Sequence, residues 1–142
     1  MAFFTSEYEC KLDAKGRLVL PAKIKTNLPE VSTNELVLRK ESDHLILYPM
    51  LEYKKIHLKF SALNDFDPEQ AKLKRLFFKS IAQVELDGAG RILVPKAMLS
   101  HVKIEREAVL LGMGDKVEIW NPDEYYKESD DDFSTLAQKF IQ

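Results

Sequence analysis

The phrase Asp13-Ala14-Lys15-Gly16-Arg17 returns 74 residues later, starting at 87 instead of 13, as Asp87-Gly88-Ala89-Gly90-Arg91. Each copy runs into three apolar residues and a proline, so the pattern D-x-x-G-R-apolar₃-P occurs twice. Agreement spreads outward through Leu12/Leu86, Leu18/Ile92, Val19/Leu93, Leu20/Val94 and Pro21/Pro95. A chain of 142 residues with this internal duplication must build the same local structure twice. Length alone allows one compact domain or two joined half-domains, and the duplication favours the second.

Before each phrase apolar and polar residues alternate: Tyr8, Cys10 and Leu12 against Glu7, Glu9 and Lys11, then Ala82, Val84 and Leu86 against Gln83 and Glu85. That is the period of a half-buried strand. After it, Arg17-Leu18-Val19-Leu20 and Arg91-Ile92-Leu93-Val94 are β-rich runs stopped by proline. Each motif therefore reads as a hairpin tip whose Gly16 or Gly90 supplies a positive φ. Short helices opened by Pro21 and Pro95 follow, and then second strand pairs, 36–38 with 45–48 and 109–111 with 117–120. The offset slips from 74 to 72 there (48 to 120), which places two extra residues in Pro29–Asn34. Four strands and one short helix cannot bury both faces alone. The expectation is an α+β, β-rich chain in which the halves fuse their hairpins into one barrel with peripheral helices.

Helical arms end each half. Tyr53, Ile56, Phe60 and Leu63 recur every three or four residues, the spacing of an amphipathic helix. Asp67-Pro68-Glu69-Gln70 is a helix start, with a cap residue and proline at the first position, ahead of an apolar face of Leu73, Leu76, Phe77 and Ser80. These two stripes offer more apolar surface than short helices can hide on a small barrel. Tyr53, Ile56, Phe60, Leu73, Leu76 and Phe77 are accordingly the expected oligomer interface. Asn121-Pro122-Asp123-Glu124 repeats the helix start, and residues 129–142 read as a charged linker with one weak helical turn. The divisions are a first repeat with its arm at 5–65, a connecting helix at 66–80, a second repeat at 81–127 and an acidic tail at 128–142.

Several function classes find no support in the sequence. No apolar run approaches the ~20 residues of a membrane-spanning helix, and the start lacks the basic and apolar pattern of a signal peptide, so the cytoplasm is the default address. Cys10 is the only cysteine, and His44, His57 and His101 show no ligand spacing, which gives no reason to expect a metal or any other cofactor. Neither Gly88-Ala89-Gly90 nor Gly112-Met113-Gly114 has the context of a phosphate-cradling loop. No nucleophile has a base and an orienting partner, so neither an enzyme nor a small-molecule substrate is expected. The net charge of −2 hides an uneven distribution. Five basic residues stand against two acidic ones between Glu9 and Lys25, and one against six between Asp123 and Asp132.

The motif has a bland reading and a functional one. Asp13 and Asp87 can accept loop N–H groups, as Asx turns do, with Gly16 and Gly90 supplying the turn and the arginines closing an ion pair. A planar, permanently charged guanidinium carried on a projecting tip also suits bidentate contact with phosphate or a guanine edge. Lys15 adds a flexible cation to the first tip, whereas Ala89 leaves the second tip weaker.

The two phrases, their spacing, Glu118-Ile119-Trp120 near the end and the near-complete coverage of the chain resemble the MraZ family of bacterial regulators, encoded at the start of the division and cell-wall gene cluster. The resemblance implies two tandem AbrB/SpoVT-like repeats forming a pseudo-twofold swapped-hairpin barrel. It also implies assembly into a ring of subunits and sequence-specific binding to repeated sites in double-stranded promoter DNA, in the nucleoid. Carried over by position, Lys15, Arg17 and Arg91 face DNA. A protein-interaction module whose Asp–Arg pairs are mere turns is the chief rival, and an enzyme using Asp13 and Arg17 is the second.

Overall fold

The structure is a computed structural model and describes residues 3–29 and 34–141. The two extra residues expected within Pro29–Asn34 fall largely outside the described residues. The first half contains β1 (Glu7–Lys11), β2 (Arg17–Val19), α1 (Ala22–Thr26), β3 (Glu35–Lys40), β4 (His44–Pro49) and α2 (Met50–Ser61). After α3 (Pro68–Lys79), the second half repeats the order as β5 (Ile81–Glu85), β6 (Arg91–Leu93), α4 (Lys96–His101), β7 (Glu107–Gly112), β8 (Val117–Trp120) and α5 (Pro122–Tyr125). A 3₁₀ turn at Asp130–Asp132 leads into α6 (Phe133–Phe140).

The strands make a six-stranded antiparallel sheet in the order β1-β7-β8-β4-β3-β5 and a separate two-stranded ribbon of β2 and β6. Pairing crosses between the halves. β1 lies against β7 with Cys10 opposite Ala108, and β5 lies against β3 with Val84 opposite Leu36. The first strand of each half is therefore completed by the third strand of the other. β4 and β8 join the halves at the centre, where His44 faces Trp120.

This arrangement differs from the sequence expectation in two respects. The D-x-x-G-R hairpin exists only at its tip: Asp13 N–H donates to Arg17 O at 3.0 Å and a single bridge links Leu12 to Leu18. Beyond it β1 and β2 diverge, because each finds a longer ladder in the other half. The ladders also stop short of a closed barrel, leaving β1 and β5 as edges. Pro21 and Pro95 help end the ribbon, since a proline has no N–H to donate to a continuing ladder.

The main core lies between the sheet and the ribbon. Leu18, Leu20, Ile92 and Val94 point inward, at most 1% exposed, against Leu38, Leu45, Leu110 and Ile119 of the sheet, with Ile24 of α1 and Met98 of α4 closing the sides. A second cluster covers the opposite face of β3 and β4, where Val37, Ile46 and Tyr48 receive Tyr53 of α2 and Phe77 of α3. Phe60 stacks on Phe77 with ring centroids 3.8 Å apart. α3 begins as its sequence requires: Asp67 caps it by accepting from Glu69 N–H at 3.1 Å, with Pro68 at the first position. Asn121 caps α5 in the same way.

The tail holds more helix than expected. α6 runs for eight residues instead of one weak turn, and leaves Phe133, Leu136 and Phe140 exposed on one side. Upstream of α6, the end of α5 is tied to β1, where Tyr125 donates to Glu7 and Tyr126 donates to Glu9 at 3.0 Å. At ~3.3 Å per residue, Glu9 lies about 13 Å along the strand from the Asp13 loop.

At the join of the halves, His44 stacks flat on Trp120 at 4.4 Å, and Glu118 accepts from Trp120 Nε1 at 2.9 Å. Burial disfavours a charged His44, but its contacts with Glu118 and Asp43 outweigh that and raise its pKa above the ordinary 6.5. The hydrogen bond from His44 lowers the pKa of Glu118 below its usual 4.5, against the effect of burial and with help from Trp120. The raised histidine contributes stability that is complete below its unfolded pKa and is lost as pH rises through the folded one. The depressed carboxylate contributes above its unfolded pKa and loses this in acid. Melts of wild type and His44→Gln should therefore differ most at about pH 5.5 and converge toward about pH 8. A gap independent of pH would contradict the charged His44–Glu118 contact.

Candidate nucleic-acid interface

Both motif loops fold identically. Asp13 Oδ1 accepts from the backbone N–H groups of Lys15 and Arg17, each at 2.9 Å, and Oδ2 accepts from Arg17 Nε at 2.6 Å. Asp87 Oδ1 accepts from Ala89 and Arg91 N–H at 2.9 Å, and Oδ2 from Arg91 Nε at 2.9 Å. The N–H donated by Arg17 or Arg91, backed by its guanidinium, holds each aspartate below the usual carboxylate range. Gly16 and Gly90 take φ values of 84° and 77°, which penalise any residue with a Cβ. Gly16 is also crowded, because a methyl group there would lie 3.3 Å from both Leu99 Cδ1 and Val94 O.

The bland and the functional readings of the Asp–Arg pair coexist in this geometry. Each carboxylate grips its arginine through Nε alone, and the two terminal amino groups make no hydrogen bond among the described residues. The end of the guanidinium is the edge that makes a paired contact with guanine O6 and N7 or with two phosphate oxygens. The aspartate thus aims the group and leaves its recognition edge open.

Reciprocal bonds tie the loops together. Val94 N–H donates to Gly16 O, and Leu20 N–H donates to Gly90 O, both at 3.0 Å. Between them Arg17 pairs with Leu93, Leu18 with Ile92 and Val19 with Arg91. Residues directly opposite in an antiparallel pair share a face, so Arg17, Val19, Arg91 and Leu93 all lie on the outer side. Both arginines belong to one surface, although 74 residues separate them (17 to 91).

Lys15 is exposed on the first loop beside an open groove of about 600 Å³, whose rim also carries Lys96 and Arg106 along with Glu105. On the second loop Ala89 brings no charge, but Lys25 lays its side chain over Gly90, with Nζ 2.6 Å from the point a Cβ would occupy. Lys25, counted in the basic stretch of the first half, and Lys96 and Arg106 were not expected at these loops, because each is brought to the opposite half's loop by the crossed pairing. The open faces of Val19 and Leu93 were missed as well, although strand alternation around the buried Leu18 and Ile92 would have revealed them.

The expected interface residues on the arms divide into two groups. Tyr53 and Phe77 are buried within the chain and Ile56 and Phe60 are half-buried around them. Leu73 and Leu76 remain 47% and 45% exposed, alongside Leu51 and Leu58 of α2. No group of three or more metal-ligating side chains occurs among the described residues. No described helix is long and apolar enough to cross a membrane.

Comparison with known proteins finds the same duplication of the chain. The family model described as "MraZ protein, putative antitoxin-like" matches twice, over residues 3–76 and 77–141. A protein of Cytophaga hutchinsonii named transcriptional regulator MraZ is 44% identical over 99% of this chain and 96% of its own length. Proteins of the same name from Hydrogenovibrio crunogenus and Christiangramia forsetii are 37% and 36% identical, over 85% and 94% of this chain and 81% and 90% of their own lengths. These relatives are named for transcriptional regulation and not for an enzymatic activity. With both repeats matched and nearly the full length shared, the chain belongs to the MraZ family of transcriptional regulators.

Proposed function

We propose that this protein is a sequence-specific DNA-binding regulator of the bacterial division and cell-wall gene cluster, acting in the cytoplasm as a nucleoid-associated oligomer on repeated promoter sites. The observation that carries the reading is the pair of arginines on one face of the β2–β6 ribbon, each held through Nε with its recognition edge open. A two-stranded ribbon fits the major groove, and the exposed Lys15, with Lys25, Lys96 and Arg106 around the loops, supports phosphate contact. The crossed pairing of β1 with β7 and β5 with β3 supports the two repeats as an AbrB-like swapped-hairpin unit.

Two arginines supply too few contacts for a promoter site, since each good bidentate base contact gives only ~1–3 kcal/mol of discrimination. Several copies on one duplex, most simply arranged as a ring, meet that need. The arms are the proposed joint. Leu73 and Leu76 present the exposed contact, and Tyr53, Ile56, Phe60 and Phe77 brace the helices behind them.

Arg17→Ala should abolish preference for the DNA upstream of this protein's own gene while barely moving the melting temperature, because a solvent-screened ion pair contributes little to stability. Arg91→Ala should weaken binding less. Gel-shift titrations with parallel melts decide it, and wild-type affinity in Arg17→Ala would defeat the assignment.

Leu58→Asp combined with Leu76→Asp should reduce the mass seen by light scattering without unfolding the chain, since both side chains are exposed in the single subunit. An unchanged mass at micromolar concentration would remove the arms as the joint.

A further inference from the structure

We propose that Val19 and Leu93 read thymine 5-methyl groups beside the bases contacted by Arg17 and Arg91, an inference that rests on the DNA-binding reading and adds a second kind of base contact to it. The ribbon strands alternate strictly. Leu18 and Ile92 are fully buried, whereas Val19 and Leu93 expose 50% and 56% of their surface. Neither contributes to the buried core, yet both positions carry aliphatic side chains in the middle of a cationic face. Register places Val19 directly opposite Arg91 and Leu93 directly opposite Arg17. The four side chains form a compact patch about 5 Å across and 7 Å along the strands.

The size and surroundings of the patch select its occupant. A stable protein interface covers about 800 Å² per partner, far more than two side chains bounded by Arg17, Arg91 and the two loops can provide. A DNA duplex offers a match, because among the base edges of the major groove the thymine methyl is the apolar group. The 7 Å between neighbouring outward positions on one strand corresponds to about two base steps of 3.4 Å. Each aliphatic side chain therefore reaches a base within two steps of the one read by the arginine on its own strand. In this geometry the arginines select guanine and the aliphatic pair selects thymine over cytosine, which presents an amino donor in the groove and no methyl.

Replacing single thymines by deoxyuridine in the upstream duplex removes the methyl and leaves base pairing intact, so the test requires no change in the protein. Wild type should lose about fourfold in affinity at each contacted position, the equivalent of ~0.8 kcal/mol for one buried carbon. The same replacement should cost nothing in Val19→Ala/Leu93→Ala. Uniform wild-type affinity across all the deoxyuridine duplexes would overturn the proposal while leaving DNA binding intact. An equal loss in the double variant would overturn it as well. A fall in the mass of the double variant by light scattering would assign the patch to a protein contact and reject the methyl reading. Failure of the wild type to bind any upstream duplex at low salt would remove the DNA-binding reading itself, and this inference with it.

Discussion

The pairing of β2 with β6 holds the candidate site together. Each loop's glycine carbonyl receives an N–H from the other half, from Val94 to Gly16 and from Leu20 to Gly90. Neither loop can keep its position if the other half unfolds. The same dependence runs through the sheet, where β1 and β5 find ladders only across the duplication. Burial reinforces it, since Leu18 and Ile92 pack as a pair and share one core. A single repeat would expose its ribbon strand and leave its first strand unpaired. The duplication thus builds one cooperative unit from two copies and brings two distant arginines onto one rigid surface.

Within that frame the Asp–Arg pair acts as an aiming device. An unrestrained arginine side chain samples many rotamers and loses that freedom on binding. Here the carboxylate fixes Nε, its own orientation is fixed by two backbone N–H groups, and the outer edge of the guanidinium stays available. The arrangement is the same in both loops, whereas the lysines around them differ. Lys15, Lys96 and Arg106 stand around the first loop, and Lys25 lies over Gly90 at the second. On the DNA-binding reading we propose, the shared geometry serves base recognition and the differing cations set how strongly each loop holds the backbone.

What was legible in the sequence was local. The positive φ of Gly16 and Gly90, the caps Asp67 and Asn121, the proline stops and the arginines at the strand starts follow from residue chemistry within a few positions. Pairing partners were not legible, because alternation tells which face of a strand is buried and not which strand lies beside it. For that reason the expected hairpin survives only at its tip and the expected barrel opens into a sheet and a ribbon. The same limit hid Lys25 from Gly90, which its own repeat does not contain. On the arms, the helical period marked an apolar stripe in α2 and α3, but only packing distinguishes Tyr53 and Phe77, turned inward onto Val37 and Tyr48, from Leu73 and Leu76, left outside. α6 was underestimated because the acidic run before it obscured the spacing of Phe133, Leu136 and Phe140.

Replacing both arginines by lysine tests the central claim most directly, because it keeps the charge and removes the planar fork. Affinity of Arg17→Lys/Arg91→Lys for the upstream duplex and for a shuffled duplex of equal composition would be measured by fluorescence anisotropy across a range of salt concentrations. With the arginines as base readers, the salt slope, which counts phosphate contacts, stays near that of wild type while the preference for the upstream duplex disappears. A double lysine variant that still prefers the upstream duplex as strongly as wild type would contradict the account.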